Sequence, residues 1–141
     1  MKGNICALKS NIKRHFFSTP PLQTIRLRNL NTASIVKKAN ARMELLRRVA
    51  SFGASIEDLK TIYILFIRSI LEQSCIVWNS GLTEENVKDI ERVQKSALRL
   101  ILAEKYQNYK NALNILELDS LEDRRKVLCL EFAKKCLKNE L

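Results

Sequence analysis

The chain is poor in the residues that interrupt helices. Its 141 residues include only three glycines and two prolines, whereas leucine, lysine, arginine, glutamate and alanine are plentiful. Tight β-turns depend on glycine and proline, and the abundant residues are good helix formers. The three glycines are also isolated from one another, which argues against a glycine-rich phosphate-binding loop. Composition alone therefore favours an all-α fold.

The chain has one histidine and four cysteines, so little catalytic or metal-binding chemistry is expected. His15 lies in the N-terminal segment, and a serine or cysteine nucleophile would have to be activated from there. Cys129 and Cys136 are separated by two turns of a predicted helix, roughly 10 Å along its axis, which is too far to share a zinc ion. We expect no metal site, no cofactor, and reduced thiols that pack as small core residues.

Acidic residues are missing from the first 43 positions, although the whole chain has a formal charge of +10. The remainder is close to neutral. No hydrophobic period persists in residues 1–33, which we predict to be a basic, disordered arm. Pro20 and Pro21 interrupt the amphipathic helix that a mitochondrial presequence requires, and no secretory segment is recognisable. We expect an intracellular protein, nuclear or cytoplasmic, with mitochondrial import the weaker alternative.

Long uninterrupted hydrophobic runs are also lacking. The most apolar stretch, TIYILFI at 61–67, is followed by Arg68 and Glu72. A bilayer span needs roughly 20 predominantly apolar residues. The sequence therefore predicts no transmembrane helix and no membrane partner.

Hydrophobic residues recur at helical spacing through residues 34–141 and predict a small bundle or array of about five helices. Helix A should begin near Thr32 or Ser34 and end at Gly53. Helix B carries two apolar stripes, so we expect its neighbours to surround it. Its predicted core residues are Phe66, Leu71, Cys75 and Trp78. The predicted start signals of helices B to E are Ser55, Thr83, Asn108 and Ser120, and helix E places Leu121, Leu128, Phe132 and Cys136 on one face.

The order of residues in the middle of the chain resembles a known family. The run IYILFIRSILEQSCIVWNSGLTEENVKDIERVQKSALRLIL is similar to the region that follows the catalytic palm in reverse transcriptases of non-LTR, jockey-like (LINE-type) retrotransposons. Order and spacing agree over about 34–137, although Ser69 stands where that family has proline. The matching positions are Arg68, Leu71-Glu72, Val77-Trp78, Ile90-Glu91, Val93-Gln94, Ala97, Arg99, Ser120-Leu121 and Arg124-Arg125.

The resemblance implies that residues 34–141 form a helical thumb-like domain that flanks template and primer. The Asp-Asp motif of the palm has no counterpart, so we expect a truncated remnant of an RNA-directed DNA polymerase that is catalytically inert alone. Its expected partners are RNA or an RNA–DNA hybrid, and a chain that supplies the palm. The candidate nucleic-acid contacts are Arg92, Lys95, Arg99, Arg124 and Arg125.

The basic residues also allow roles that involve no nucleic acid. Those of helix C share its surface with acids, so a solvated face is the simpler account of them. Arg124 and Arg125 can equally begin a helix that is held against the acids of a neighbour. The alternative function is a helical protein-interaction module without a nucleic-acid role, whose exposed apolar face recruits another chain or a second copy.

Overall fold

The structure is a computed structural model that describes the backbone of residues 21–138 and the side chains of residues 30–138. Within this range the chain is all-α without strands, and its five helical rods form a small array, which confirms the predicted fold class. A π-helical stretch, Tyr63–Arg68, joins α2 to α3 without a break, so that 56–72 is a single rod. The helices are α1 (Pro21–Ser51), α2 (Ile56–Ile62), α3 (Ser69–Glu72), α4 (Cys75–Trp78), α5 (Glu84–Leu102), α6 (Tyr109–Ile115) and α7 (Leu121–Lys138).

Helix α1 begins at Pro21 and not near Thr32 or Ser34, so the predicted irregular arm is wrong for residues 21–33. Proline suits the first turn of a helix, because its missing N–H needs no partner there and its φ is already helical. The prediction relied on a hydrophobic period, which the sequence shows only from about residue 32 onwards. The remaining predicted arm, 1–20, lies outside the described residues.

The later helix boundaries follow the predicted capping residues. Gly53 has a φ of 79°, the left-handed conformation that glycine adopts easily, and its N–H donates to the Ala50 carbonyl at 3.0 Å. Four side chains accept a hydrogen bond from the backbone N–H three residues later and begin α2, α5, α6 and α7 as predicted. They are Ser55 (3.1 Å), Thr83 (3.2 Å), Asn108 (2.8 Å) and Ser120 (3.1 Å).

The 56–72 rod turns every fourth residue towards the core. Its buried side chains are Leu59, Tyr63, Ile67 and Leu71. In a regular α-helix a four-residue step rotates by ~400°, so residues at this spacing drift by ~40° per step and leave the buried face. The wider π-helical turn at Tyr63–Arg68 under-winds the rod and keeps these positions aligned. The buried line therefore takes residues from both apolar stripes that the sequence predicted.

The prediction that Phe66 lies in the core is wrong, because this residue is 42% exposed. The under-wound turn moves Phe66 and its neighbour Leu65 to the outside of the rod. Helix B is thus not surrounded by its neighbours, and one side of it faces solvent. The other predicted core residues, Leu71, Cys75 and Trp78, are confirmed as buried.

Trp78 closes a break that the sequence did not predict. The rod ends after Glu72, and Ser74 takes the left-handed conformation with a φ of 54°. The indole of Trp78 is only 4% exposed, and its Nε1–H donates to the Gln73 carbonyl at 2.8 Å. One side chain therefore fills the core and also satisfies a carbonyl at the point where the helix stops.

Helix α1 packs along α5 and the 56–72 rod, while α7 packs against α4 and α5. Helix α7 docks only its first half. Leu121 is buried and Leu128 contacts the core, but Phe132 and Cys136 are exposed. The face predicted for this helix therefore contacts the core only as far as about Cys129.

The stretch Ile56–Gly81 is long and apolar enough to cross a membrane if length and composition alone are considered. Core helices of soluble proteins pass the same test. Here Arg68 and Glu72 interrupt the stretch, and the break at Gln73 and Ser74 divides it. The absence of a membrane partner stays a prediction.

We expect Trp78→Ala to lower the free energy of unfolding by ~3–5 kcal/mol, because it leaves a cavity and an unpaired carbonyl. Trp78→Phe keeps most of the apolar volume and should cost less. Phe52→Ala is the control, since Phe52 is 87% exposed and its loss should change stability by less than ~0.5 kcal/mol. Urea denaturation measures all three, and a loss below ~1 kcal/mol for Trp78→Ala would contradict its role in the core.

Candidate functional site

Four basic side chains follow the outer face of α5. Lys88, Arg92, Lys95 and Arg99 are all exposed, and their spacing of four, three and four residues places them on one stripe. We call them the α5 stripe. Three of the five residues predicted to contact nucleic acid, Arg92, Lys95 and Arg99, thus lie together on the surface.

Neighbouring side chains position three members of the α5 stripe. The Arg92 guanidinium lies 2.8 Å from the Asp89 carboxylate in an exposed ion pair. The Lys95 ammonium is 5.1 Å from the ring centroid of Tyr109, and the Arg99 guanidinium is 5.4 Å from that of Tyr106. These rings orient the two cations without removing their charge, because cation–π contacts leave the polar hydrogens free. Asp89 partly neutralises Arg92.

A groove with both apolar and polar lining runs between α5 and α1 beside the stripe. It encloses about 370 Å³ at one end, and a second depression of about 130 Å³ adjoins it through Val36, Asn40 and Asp89. Lys37 lines it from α1 and Arg92 from α5. Lysine, arginine, amide and hydroxyl side chains are the groups that contact phosphate and sugar. The other polar residues of the lining are Thr32, Asn86 and Ser96.

Arg124 does not belong to this surface. Its Nε donates to Glu72 Oε1 at 2.5 Å and its Nη2 donates to Oε2 at 3.2 Å, so the carboxylate is held by two bonds. The hydrogen bond to Glu72 raises the pKa of Arg124 above its usual value. Arg68 approaches the same carboxylate at 3.8 Å. The fork of Arg124 therefore joins α7 to the 56–72 rod, and its contact with nucleic acid stays a prediction.

The prediction that Arg125 contacts nucleic acid is wrong, since this residue is only 1% exposed. Its Nε donates to Asn79 Oδ1 at 3.3 Å, and the Asn79 amide nitrogen lies 3.8 Å from the Cys129 sulfur. Burial lowers the pKa of Arg125 from its usual value. Nothing in the described part of the chain accepts a hydrogen bond from its Nη1 or Nη2. Arg125 thus packs α7 against the end of α4.

Two polar side chains of α5 hold the beginning of α7. Glu91 accepts a hydrogen bond from the Tyr109 hydroxyl at 2.5 Å and another from the Glu122 backbone N–H at 2.7 Å. Gln94 is fully buried, and its amide donates to the Asp119 carbonyl at 3.0 Å. The Glu91 carboxylate also places a negative charge at the positive end of α7.

Some of the residues that carry the family resemblance make these connections. Five of them tie α7 to α5, to the residue after α4 or to the 56–72 rod, whereas Ser120 caps α7 itself and Trp78 bonds to the nearby Gln73 carbonyl. We call the set the motif network. Its members are Glu72, Trp78, Glu91, Gln94, Ser120, Arg124 and Arg125.

Within residues 30–138, no group of three or more His, Cys, Asp or Glu side chains is placed to hold a metal ion. Three of the aspartates have local roles: Asp58 and Asp123 accept from the hydroxyls of Ser55 and Ser120, and Asp89 pairs with Arg92. Cys75, Cys129 and Cys136 are free thiols, and burial raises the pKa of Cys75.

Comparison of the chain with known proteins finds no matching family model, no matching curated protein and no matching solved structure.

Glu72→Gln is expected to destabilise the fold by ~2 kcal/mol, because it leaves the partly buried Arg124 guanidinium without the carboxylate that binds it through two hydrogen bonds. Arg124→Met should cost a similar amount, and the double variant less than the sum, since the two residues act as a pair. Glu122→Gln is the matched control: it breaks the exposed pair with Lys126 and should cost less than ~0.5 kcal/mol. Equal losses of unfolding free energy for Glu72→Gln and Glu122→Gln in urea denaturation would contradict the proposed stabilising role of the Glu72–Arg124 pair.

Stability should fall as the pH rises above about 10. Burial, followed by the hydrogen bond to Glu91, raises the pKa of Tyr109 above its usual 10.0, and burial also raises the pKa of Tyr63. The unfolded chain therefore loses these protons at a lower pH than the folded chain does. The stabilisation that the two protonated tyrosines provide is fully present below pH 10 and is lost progressively above it. The difference in unfolding free energy between wild type and Tyr109→Phe should shrink from pH 9 to pH 11. A constant difference would contradict this linkage.

Proposed function

We propose that the chain is a truncated remnant of the RNA-directed DNA polymerase of a non-LTR retrotransposon. It comprises the helical thumb and the segment after the thumb, binds nucleic acid at most, and is catalytically inert alone. The motif network supports this proposal. Glu72 and Arg124 are 52 positions apart and bond directly, and Glu91 and Gln94 hold the beginning of α7 from α5. Residues that bond to one another in the folded chain must be kept together if the fold is to be kept. A chain that descends from such a polymerase would therefore retain their order and spacing.

The departure at Ser69 is compatible with this origin. Ser69 directly follows the π-helical stretch, where the regular ladder of backbone hydrogen bonds is already altered. A proline there, as in the resembling family, lacks an N–H and is tolerated best next to such an irregularity. In this chain the Ser69 N–H donates to the Ile67 carbonyl, a bond outside the regular ladder.

The α5 stripe and its groove are the proposed nucleic-acid surface. Arg92, Lys95 and Arg99 keep the role that the resemblance implies, and Lys88 and Lys37 extend the surface. A row of cations beside a groove suits the regularly spaced phosphates of RNA or an RNA–DNA hybrid. Binding of this kind releases counterions, so its affinity should fall steeply with salt.

Fluorescence anisotropy with a labelled RNA–DNA hybrid across potassium chloride concentrations tests this surface. Replacing Lys88, Lys95 and Arg99 together by Gln should weaken binding and reduce the salt slope by about one unit for each phosphate that is no longer neutralised. Replacing Lys134, Lys135 and Lys138 by Gln is the control, since it removes the same charge from α7. Arg125→Met should leave affinity unchanged.

Two outcomes would contradict the nucleic-acid role. Absence of binding at low salt would contradict the nucleic-acid role altogether. Equal loss of affinity in the α5 and α7 triple variants would show that binding results from overall charge and not from the α5 stripe.

The interaction-module alternative has a specific observation in its favour, because the distal half of α7 exposes large apolar side chains. Leu137 is 82% exposed and Leu130 is also exposed. A chain that supplies a palm, an unrelated protein or a second copy are the partners that this alternative admits.

A further inference from the structure

Two cysteines that have no part in the proposed nucleic-acid surface lie on elements that pack against each other. Cys75 begins α4 and is only 2% exposed, whereas Cys129 is half-buried at the end of the docked part of α7. Both are free thiols. They are far apart in the sequence, so only the packing of α7 on α4 brings them to the same region.

Asn79 shows how the two thiol-bearing faces meet. Its backbone N–H donates to the Cys75 carbonyl, so Asn79 and Cys75 stand one helical turn apart on the same side of α4. On α7, Cys129 follows Arg125 by one turn. The Asn79 side chain contacts both of these residues, with Oδ1 at 3.3 Å from the Arg125 Nε and Nδ2 at 3.8 Å from the Cys129 sulfur. Cys75 therefore completes a group of four side chains, two from each element.

The electrostatics of this group also indicate that Cys75 is close to both residues of α7. Burial, followed by the charge of Cys129, raises the pKa of Cys75, while the Arg125 guanidinium lowers it. Interactions between charges weaken with distance, so neither effect would reach a sulfur on a remote part of the fold.

The present contact of the Cys129 sulfur is weak enough to be exchanged for another. A separation of 3.8 Å from the Asn79 nitrogen is long for a hydrogen bond, and rotation about the Cα–Cβ bond moves the sulfur without moving the helix. Cys136 is a poor competitor for Cys129, because it lies two turns further along α7, roughly 10 Å away along the axis. It is also exposed and does not contact the core.

We propose that Cys75 and Cys129 form a reversible disulfide when the chain meets glutathione disulfide. The Cys129 thiolate attacks one sulfur of glutathione disulfide, whose S–S bond breaks and releases one glutathione thiolate. The Cys75 thiolate then attacks the Cys129 sulfur of the mixed disulfide and displaces the second glutathione thiolate. The two cysteines are thereby oxidised to one disulfide, and glutathione disulfide is reduced to two glutathione molecules, which take up the two thiol protons.

The order of the two steps follows from exposure. An external disulfide must reach the sulfur with which it reacts first, and Cys75 is too buried for this encounter. The second step is intramolecular, because the packing of α7 on α4 holds Cys75 beside its partner. The new bond would fasten α7 at the end of its docked half, whereas the motif network holds its beginning. This site does not depend on the proposed nucleic-acid function.

The test uses the full chain in a glutathione redox buffer, followed by alkylation, trypsin digestion and mass spectrometry without reduction. Cys75, Cys129 and Cys136 fall in separate tryptic peptides, 69–88, 127–134 and 136–138. We expect the linked pair of peptides 69–88 and 127–134 to exceed the glutathione adduct of 127–134 about tenfold, because the second thiol is held nearby. The same oxidation of the urea-unfolded chain is the control and should give a mixture of cysteine pairs.

The urea midpoint of the double variant Cys6→Ser/Cys136→Ser provides a second measurement, since this variant keeps only the proposed pair. Oxidation should raise its midpoint by roughly 1 M or more, because the disulfide restricts the unfolded chain. Dithiothreitol should reverse the shift. Adding Cys129→Ser to the same background is the matched control, and the midpoint of that variant should not respond to glutathione disulfide.

Four results would overturn the proposal. These are absence of the linked peptides at every glutathione ratio, a glutathione adduct of Cys129 that outweighs them, a bond from Cys129 to Cys6 or Cys136 in the folded chain, and oxidation that lowers the urea midpoint of the double variant. Loss of hybrid binding by the α5 triple variant is a separate result and leaves this test unaffected.

Discussion

The placement of α7 depends on polar contacts made by side chains from two other helices. The docked half of α7 presents few large apolar residues to the core, chiefly Leu121 and Leu128. Direction and depth are therefore set by Glu91 and Gln94 at its first turn and by Glu72 one turn further along. Hydrogen bonds and ion pairs specify geometry more narrowly than apolar contact does, because they require particular atoms at particular distances. The position of every side chain on α7 therefore depends on these contacts.

Helix α5 has three different tasks around its circumference. Its inner face fills the core with residues such as Ile90, Leu98 and Ile101. One edge uses Glu91 and Gln94 to hold α7, while the outer face leaves the α5 stripe in solvent. Acids that look equivalent along the sequence differ in their partners, since Glu91 bonds to Tyr109 and to the beginning of α7 whereas Asp89 pairs with Arg92 on the surface. The net charge along the helix therefore gave little guidance to its surface.

Much of the fold follows from local rules that can be applied to the sequence. Capping residues at Ser55, Thr83 and Ser120 act over three positions, and the sequence shows all of them. The under-winding of the 56–72 rod cannot be recognised in this way, because a helical period is assumed before residues are assigned to faces. Phe66 was misplaced for that reason. Pro21 was missed because its helix begins well before any hydrophobic period.

The candidate site was harder to predict than the fold, and Arg124 and Arg125 show why. Adjacent arginines after a helix start are compatible with a phosphate or with an internal carboxylate. The choice depends on which helix lies opposite, and Glu72 is far away in the chain. Lys37 and Asn40 were missed for the converse reason, since only the packing of α1 on α5 brings them beside Arg92. Periodicity indicates which side of a helix is buried, but it does not identify the neighbour.

The π-helical stretch also takes up one residue more than regular winding would need for the same rotation. Deleting one residue from Tyr63–Arg68 would restore regular winding, because five steps of ~100° turn the rod about as far as its six under-wound steps do. Leu71 would still face the core and Glu72 would still face α7. A deletion within the regular turn Ser69–Glu72 would instead rotate the residues after it by ~100°. The rod therefore tolerates the loss of a residue in its π-helical stretch and not in its regular turns.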